Sequence, residues 1–260
     1  MKFLLPVTFL ITCLFNSKVE ARWKPKIGTT WNYVLNDDLG FDVAKETAEV
    51  VDIDYETSTE VINKLHKKNI SVICYFSVGT FEDFRDDADD FLAIKDLVRD
   101  PYVEWEGEYW LDYRVKGLKN LIEKHGYLTE PSKWENPLTV KDTIDYAIWL
   151  AETAHKKNLS IGLKNIPGTI DKLGSYFDFA INESCVNFDE CYLYENFLKS
   201  GKPVFGVTYY GLTAENKERL CRNLYGLPIS MIIKENRELY QDVIFFNGKE
   251  TCGKNFDTGL

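Results

Sequence analysis

The sequence predicts an α/β protein: a (β/α)8 TIM barrel in a single domain, with a shortened or irregular region at strand 4. One phrase occurs twice. Leu65-His66-Lys67-Lys68-Asn69-Ile70-Ser71-Val72 returns as Ala154-His155-Lys156-Lys157-Asn158-Leu159-Ser160-Ile161. Each copy closes a helical pattern, stops on Lys-Lys-Asn and runs into a short apolar segment, as a helix feeding a buried strand does. Apolar, β-branched or aromatic runs then recur at residues 31–35, 50–54, 71–77, 160–164, 177–182, 203–209 and 229–233, with a weak eighth near 127–130. Amphipathic helical stretches at 58–68, 139–157, 193–200 and 213–225 fall between most of them. An open doubly wound sheet would also alternate, but no G-x-G-x-x-G or Walker-type loop follows any strand.

Taken in chain order, residues 1–21 stand apart. Lys2 begins a short basic start, residues 3–15 are apolar but too short to span a bilayer, and Val19-Glu20-Ala21 fits a small-x-small cleavage site. The expectation is a signal peptide over 1–21, a barrel over 22–260 and a secreted, monomeric product. No later segment is long and apolar enough for a membrane span, and no linker, low-complexity tract or second domain interrupts the alternation. The acidic run 82–90 reads as a loop-to-helix connection, and the residues after Phe246 read as a loose tail held by Cys252.

A formal net charge of −10 disfavours nucleic acid and anionic glycans. It suits either a plain soluble surface or a cleft that favours a cationic ligand. In an oxidising compartment Cys185 can pair with Cys191 and Cys221 with Cys252, the longer loop contributing roughly 3–4 kcal/mol. Cys74, in mid-strand, reads as a buried and inert thiol. Asn69-Ile70-Ser71 and Asn158-Leu159-Ser160 are glycosylation triplets at strand starts, away from the site, whereas Asn182-Glu183-Ser184 would sit in the barrel mouth and reads as coincidental. His66, His125 and His155 lie at helix ends without metal-ligand spacing, so neither a metal nor a cofactor is expected.

Chemistry is sought at strand C-termini. In Val50-Val51-Asp52-Ile53-Asp54-Tyr55-Glu56, strand alternation puts Asp52, Asp54 and Glu56 on one side and Val51, Ile53 and Tyr55 on the other. Asp54 at the strand tip is the natural site carboxylate; its alternative role is a cap for the helix that follows. Lys164 and Asn165 end a later strand, Asn182 and Glu183 the next. Lys164 reads as a positioning partner for a carboxylate, since no phosphate loop supports a Schiff-base role.

Four phrases are more specific: "ICYFSVGTFEDFRDDA", "YWLDYR", "GLKN" and "FDFAINESCVNFDEC". Together and in this order they resemble glycoside hydrolase family 114, the endo-α-1,4-polygalactosaminidase-like barrels, over nearly the whole chain after the leader. The resemblance implies a (β/α)8 fold and hydrolysis of α-1,4-linked galactosamine-containing polysaccharide, a cationic amino-sugar polymer. It also implies an acidic pair, an Asp ending strand 2 and a Glu ending strand 4, which carry over to Asp54 and Glu130. Glycosidic cleavage needs one carboxylic acid for the leaving oxygen and one carboxylate to attack or to activate water. Tyr33, Tyr75, Ser77, Lys164, Asn165, Asn182, Glu183 and Tyr209 are the expected substrate-binding residues, with Trp110 and Tyr210 as further candidates for stacking on sugar faces. Glu183 is the reserve acid. The chain reads Thr129-Glu130-Pro131-Ser132 where the family has Asp on both sides of Glu-Pro, and Thr208-Tyr209 where it has Glu-Tyr. These departures support the alternative of a carbohydrate-binding barrel that has lost turnover.

Overall fold

The computed structural model describes residues 22–36, 40–103, 105–119 and 136–260. β1 (Trp31–Val34), β2 (Val50–Asp54) and β3 (Ser71–Tyr75) form a parallel sheet, with α1 (Thr59–Lys67) between β2 and β3. The chain then leaves the alternation. β4 (Thr80–Glu82), α2 (Ala88–Leu92), β5 (Val98–Pro101) and β6 (Glu108–Leu111) build a small antiparallel sheet of order β4-β6-β5. After α3 (Val140–Lys156) come β7 (Gly162–Lys164), α4 (Ile170–Leu173), β8 (Phe179–Glu183), α5 (Glu195–Lys199), β9 (Val204–Thr208), α6 (Ala214–Asn223) and β10 (Ser230–Ile233). These four strands are parallel, and β11 (Ile244–Phe245) pairs antiparallel on β10 before α7 (Gly248–Cys252).

The two parallel sheets meet where Trp31 Nε1 donates to the Ser230 carbonyl at 2.8 Å, and Lys234 Nζ, just past β10, donates to Asn32 Oδ1 at 2.8 Å. All seven strong runs are therefore strands. The weak eighth at 127–130 lies outside the described residues, and the described sheets do not form a closed ring. The small antiparallel sheet is a departure from the expected simple alternation, because its strands are too short and too polar for a periodic signal.

Alternation sorts the core. Val50 joins Trp31, Tyr33, Phe179, Ile181, Phe205, Val207 and Ile232 in an inner cluster, while Val51 and Ile53 pack outward with Leu65 of α1. Ala180 and Val204, one residue out of register with the inner set, pack against the helices. A separate core under the small sheet holds Phe81, Phe91, Leu97 and Leu111 against Tyr146 and Leu150 of α3.

The repeated phrase folds twice the same way. Ser58 and Thr139 cap α1 and α3 by accepting from Val61 N and Asp142 N. Asn69 and Asn158 both stand at φ 59°, a left-handed turn that Asn tolerates. From each turn the next amide reaches back into the helix, Ile70 N to Leu65 O at 3.1 Å and Leu159 N to Ala154 O at 2.9 Å. Both Asn side chains are exposed, whereas Asn182 is buried, which denies it a glycan.

The two expected disulfides, Cys185–Cys191 and Cys221–Cys252, are present. Three readings need correction. Cys74 is exposed, because alternation on β3 gives Ile73 and Tyr75 to the inner cluster and turns Cys74 to the other face. The C-terminal tail is packed: Phe256 is buried, with its ring 5.6 Å from Tyr225 and 6.0 Å from Phe246. His155 does more than end a helix, since its Nε2 lies 2.9 Å from Asp178 Oδ2, while Arg22 holds the other oxygen at 2.8 Å. His125 lies outside the described residues.

Gly162, paired with Phe179 across β7 and β8, has that ring 2.2 Å from where a Cβ would sit. Gly162→Ala should therefore destabilise by roughly 1–3 kcal/mol. Gly168→Ala, with nothing within 4 Å, should shift thermal unfolding little. Equal melting temperatures for the two variants would contradict the packing of this strand pair.

Candidate active site

Three neighbouring parallel strands are followed by residues at positive φ: Asn165 (53°) after β7, a turn Asn tolerates, and Ser184 (71°) after β8 and Tyr210 (70°) beyond β9, which rarely adopt it. Backbone strain of this kind gathers at functional sites. Here it turns the chain outward just after Lys164, Glu183 and Tyr209. Lys164 Nζ meets Glu183 Oε1 at 2.6 Å, the Tyr209 hydroxyl donates to Glu183 Oε2, and Asn165 Oδ1 accepts from the Glu183 amide at 2.8 Å. Burial works to raise the Glu183 pKa, but the Lys164 charge and these hydrogen bonds prevail and hold it below the usual glutamate value. Lys164 also lies 5.4 Å from the Tyr75 ring centroid. Burial pushes the Tyr75 hydroxyl up to about 12.

Across from this group stands Arg85, from the turn after β4. Its Nη1 and Nη2 fork onto both oxygens of Asp54 at 2.8 and 2.7 Å. The same guanidinium reaches Glu56 at 2.8 Å and Glu82 at 2.9 Å. Asp54 thus enters the site in a bidentate ion pair, the strongest geometry a carboxylate finds in a protein. Burial raises the Glu82 pKa, opposed by the Arg85 hydrogen bond and charge.

Among the described residues two carboxyl groups here have no cation in contact. Asp52, on the inner face of β2, is 1% exposed and neither oxygen has a hydrogen-bond partner among those residues. Burial drives its pKa well above the carboxylate range, with Lys164 pulling against it and Glu183 and Asp54 adding to it. Glu108, directly opposite Glu82 on the antiparallel β4–β6 pair, takes only the Thr80 hydroxyl, at 2.6 Å. Thr80 is itself 2.6 Å from Ser77 Oγ. Burial raises the Glu108 pKa, while the Thr80 bond and the Lys164 and Arg85 charges lower it. Asp52, Tyr75, Ser77, Trp110, Lys164 and Asn165 line one open space between β3 and β7 among the described residues.

The structure thus brings together Asp54, Tyr75, Ser77, Lys164, Asn165 and Glu183. Tyr33 and Tyr209 are 1% and 3% exposed, so their rings belong to the inner core; the Tyr209 hydroxyl bonds Glu183, and the Tyr33 ring lies edge-on to Tyr75 with centroids 6.3 Å apart. Asn182 does not join the site. It falls on the outer face of β8, one residue from Glu183, and its Oδ1 accepts from the Cys185 amide at 2.7 Å. Glu130 lies outside the described residues. Sequence reasoning assigned no role to Arg85, Glu82 and Glu108. The first two stood inside a quoted phrase, but what they face is decided by the small sheet, which had no periodic signal.

The sequence model of glycoside-hydrolase family GH114 matches residues 15–252. The chain belongs to this family. Among solved structures, Ega3 of Aspergillus fumigatus, in complex with galactosamine, is 30% identical over 87% of this chain and 98% of its own, with a TM-score of 0.73. The glycoside hydrolase domain of PelA from Pseudomonas aeruginosa is 15% identical, covering 83% and 98%, with a TM-score of 0.58; at that identity it shows the fold alone. No curated protein matches the sequence.

For this GH114 chain the Lys164–Glu183 pair is open to test. Lys164→Met should leave Glu183 without its counter-ion and cost about 2 kcal/mol near neutrality. A glutamate held below its ordinary pKa stabilises the fold above that ordinary value, and the gain is lost as pH falls through the lowered one. Wild-type stability should therefore fall across that acid range more steeply than that of Lys164→Met, measured by urea unfolding at several pH values. Parallel pH profiles would refute the pairing.

Proposed function

We propose that the chain is a secreted glycosidase that cleaves α-1,4-linked galactosamine-containing polysaccharide, acting as a monomer without metal or cofactor. The observation that carries this reading is the match to a family of glycoside hydrolases, with a 30% identical relative captured with galactosamine, on a fold whose strand tips gather carboxylates. The leader and the two disulfides support secretion. Closure of the parallel strands into a full (β/α)8 barrel through residues 127–130 belongs to the same proposal.

In this proposal Asp54 and Glu130 form the acidic pair. Asp54 is the carboxylate partner, because the Arg85 fork fixes both its oxygens at the end of β2. Glu130 is the acid that protonates the leaving oxygen. A separation of about 5–5.5 Å between such groups gives retention and about 6.5–9.5 Å inversion. Glu183 is less suited to the acid role, since Lys164 and Tyr209 hold it as an ion. A second reading, a binding barrel without turnover, is favoured by Thr208, whose hydroxyl is buried against Asn187 Oδ1 at 2.8 Å where the family has Glu.

Residues 22–260 incubated with partially deacetylated α-1,4-galactosamine polymer should release short oligomers. Asp54→Asn should reduce release by at least about 100-fold while retaining binding and fold, because Asn keeps the shape and removes the charge. Tight binding with no oligomers from the wild type, and no difference on Asp54→Asn, would establish the binding module instead.

A further inference from the structure

Among the carboxylates at the mouth, Asp54, Glu56 and Glu82 share Arg85, and Glu183 is taken by Lys164 and Tyr209. Glu108 differs. Among the described residues its one hydrogen bond, from Thr80, fixes Oε2, Oε1 has no partner, and no cation touches it. It stands directly opposite Glu82, an arrangement of like charges that costs stability on a strand pair unless a positive charge comes near.

The surroundings point to a sugar. Trp110 lies two residues along β6, on the same face as Glu108 and opposite Thr80. Its ring meets Tyr102 edge-on with centroids 4.6 Å apart. Among the described residues both rings face the open space at the ends of β3 and β7, and Ser77, 2.6 Å from Thr80, faces it too. The other face of β6 is used for packing, Tyr109 lying 5.9 Å from Phe81 over the core of the small sheet. An independent feature of the same space also asks for a polar ligand. Asp52 on its wall is buried and has no partner on either oxygen among the described residues.

We propose that Glu108, with Trp110 and Tyr102, forms a subsite that recognises the protonated free amine of a hexosamine unit. This deepens the glycosidase reading and rests on it for the polymer concerned. Oε1 of Glu108 accepts the ammonium, Thr80 holds the carboxylate in place, and the Trp110 ring packs on the sugar face while its π-surface favours the nearby cation. An N-acetylated unit brings bulk and no charge, so the subsite discriminates between the two forms. Glu108 acts here in specificity and not in bond cleavage.

The test is titration calorimetry of the full chain, with fully deacetylated and fully N-acetylated α-1,4-galactosamine oligomers. The wild type should prefer the deacetylated form. Glu108→Gln should weaken that form about tenfold, the loss of one charged hydrogen bond, and change the acetylated form less than about twofold. Trp110→Ala should weaken both. Thr80→Val, which removes only the hydroxyl holding the carboxylate, should give a smaller loss in the direction of Glu108→Gln and keeps the test open if that variant does not fold. Equal losses for both oligomers, no loss from Glu108→Gln, or a wild type that binds neither form would overturn the subsite. Product release is followed in parallel. A wild type that binds with the stated preference but releases nothing upholds the subsite and removes the glycosidase reading.

Discussion

Arg85 holds Asp54, Glu56 and Glu82 with one guanidinium, and Lys164 holds Glu183; the mouth of the fold depends on these contacts. Without them the ends of β2, β4 and β8 would turn like charges toward one another in a partly buried space. Arginine is suited to the larger task because its planar group offers five donors in fixed directions, enough to satisfy three carboxylates at once. The Tyr55 ring, 5.0 Å from the guanidinium carbon, shelters it further. Asp52 and Glu108 receive no such partner, and burial raises both of their pKa values. Carboxylates held in ion pairs and carboxyl groups without a cation in contact therefore stand side by side among the described residues.

Why these groups meet follows from strand geometry. Each parallel strand gives alternate side chains to the inner cluster, and Val50, Asp52 and Asp54 follow that rule along β2 from apolar base to polar tip. Phe179, Ile181 and Glu183 do the same along β8. A shift of one residue reverses the outcome, as Asn182 shows by facing the Cys185 loop. At the tips the chain must turn sharply without carrying the inward residue away. The left-handed Asn165 and Ser184 achieve this one residue past Lys164 and Glu183, at little cost for Asn165 and with backbone strain at Ser184.

Much of this was legible in the sequence where a period or a repeat exists. The Lys-Lys-Asn stops, the seven apolar runs, both disulfides and the inward side of Asp52 and Asp54 all follow from rules that act within a few residues. What could not be read depends on contacts between distant segments. Arg85 is an ordinary charged residue in a connection until β4 and β6 pair and bring it within 2.8 Å of residues thirty positions earlier. Asn182 was misplaced because a polar residue near a strand tip looks like a ligand from either face. Phe256 was missed because a single aromatic in a polar tail carries no period, yet it fills the space that Gly248 leaves open.

The small antiparallel sheet explains how one chain can combine a regular frame with an irregular site. Its core of Phe81, Phe91, Leu97 and Leu111 packs on Tyr146 and Leu150 of α3, separate from the inner cluster of the parallel strands. With Phe81 and Tyr109 committed to that core, alternation commits Glu82 and Glu108 to the opposite face. Packing on one side thus fixes chemistry on the other. The parallel strands alone would supply Asp54, Lys164 and Glu183. The inserted sheet adds Arg85, which organises Asp54, and Glu108, which meets no counter-ion among the described residues. Changes on the open face of this sheet need not disturb either core, because its buried core residues lie on the other face.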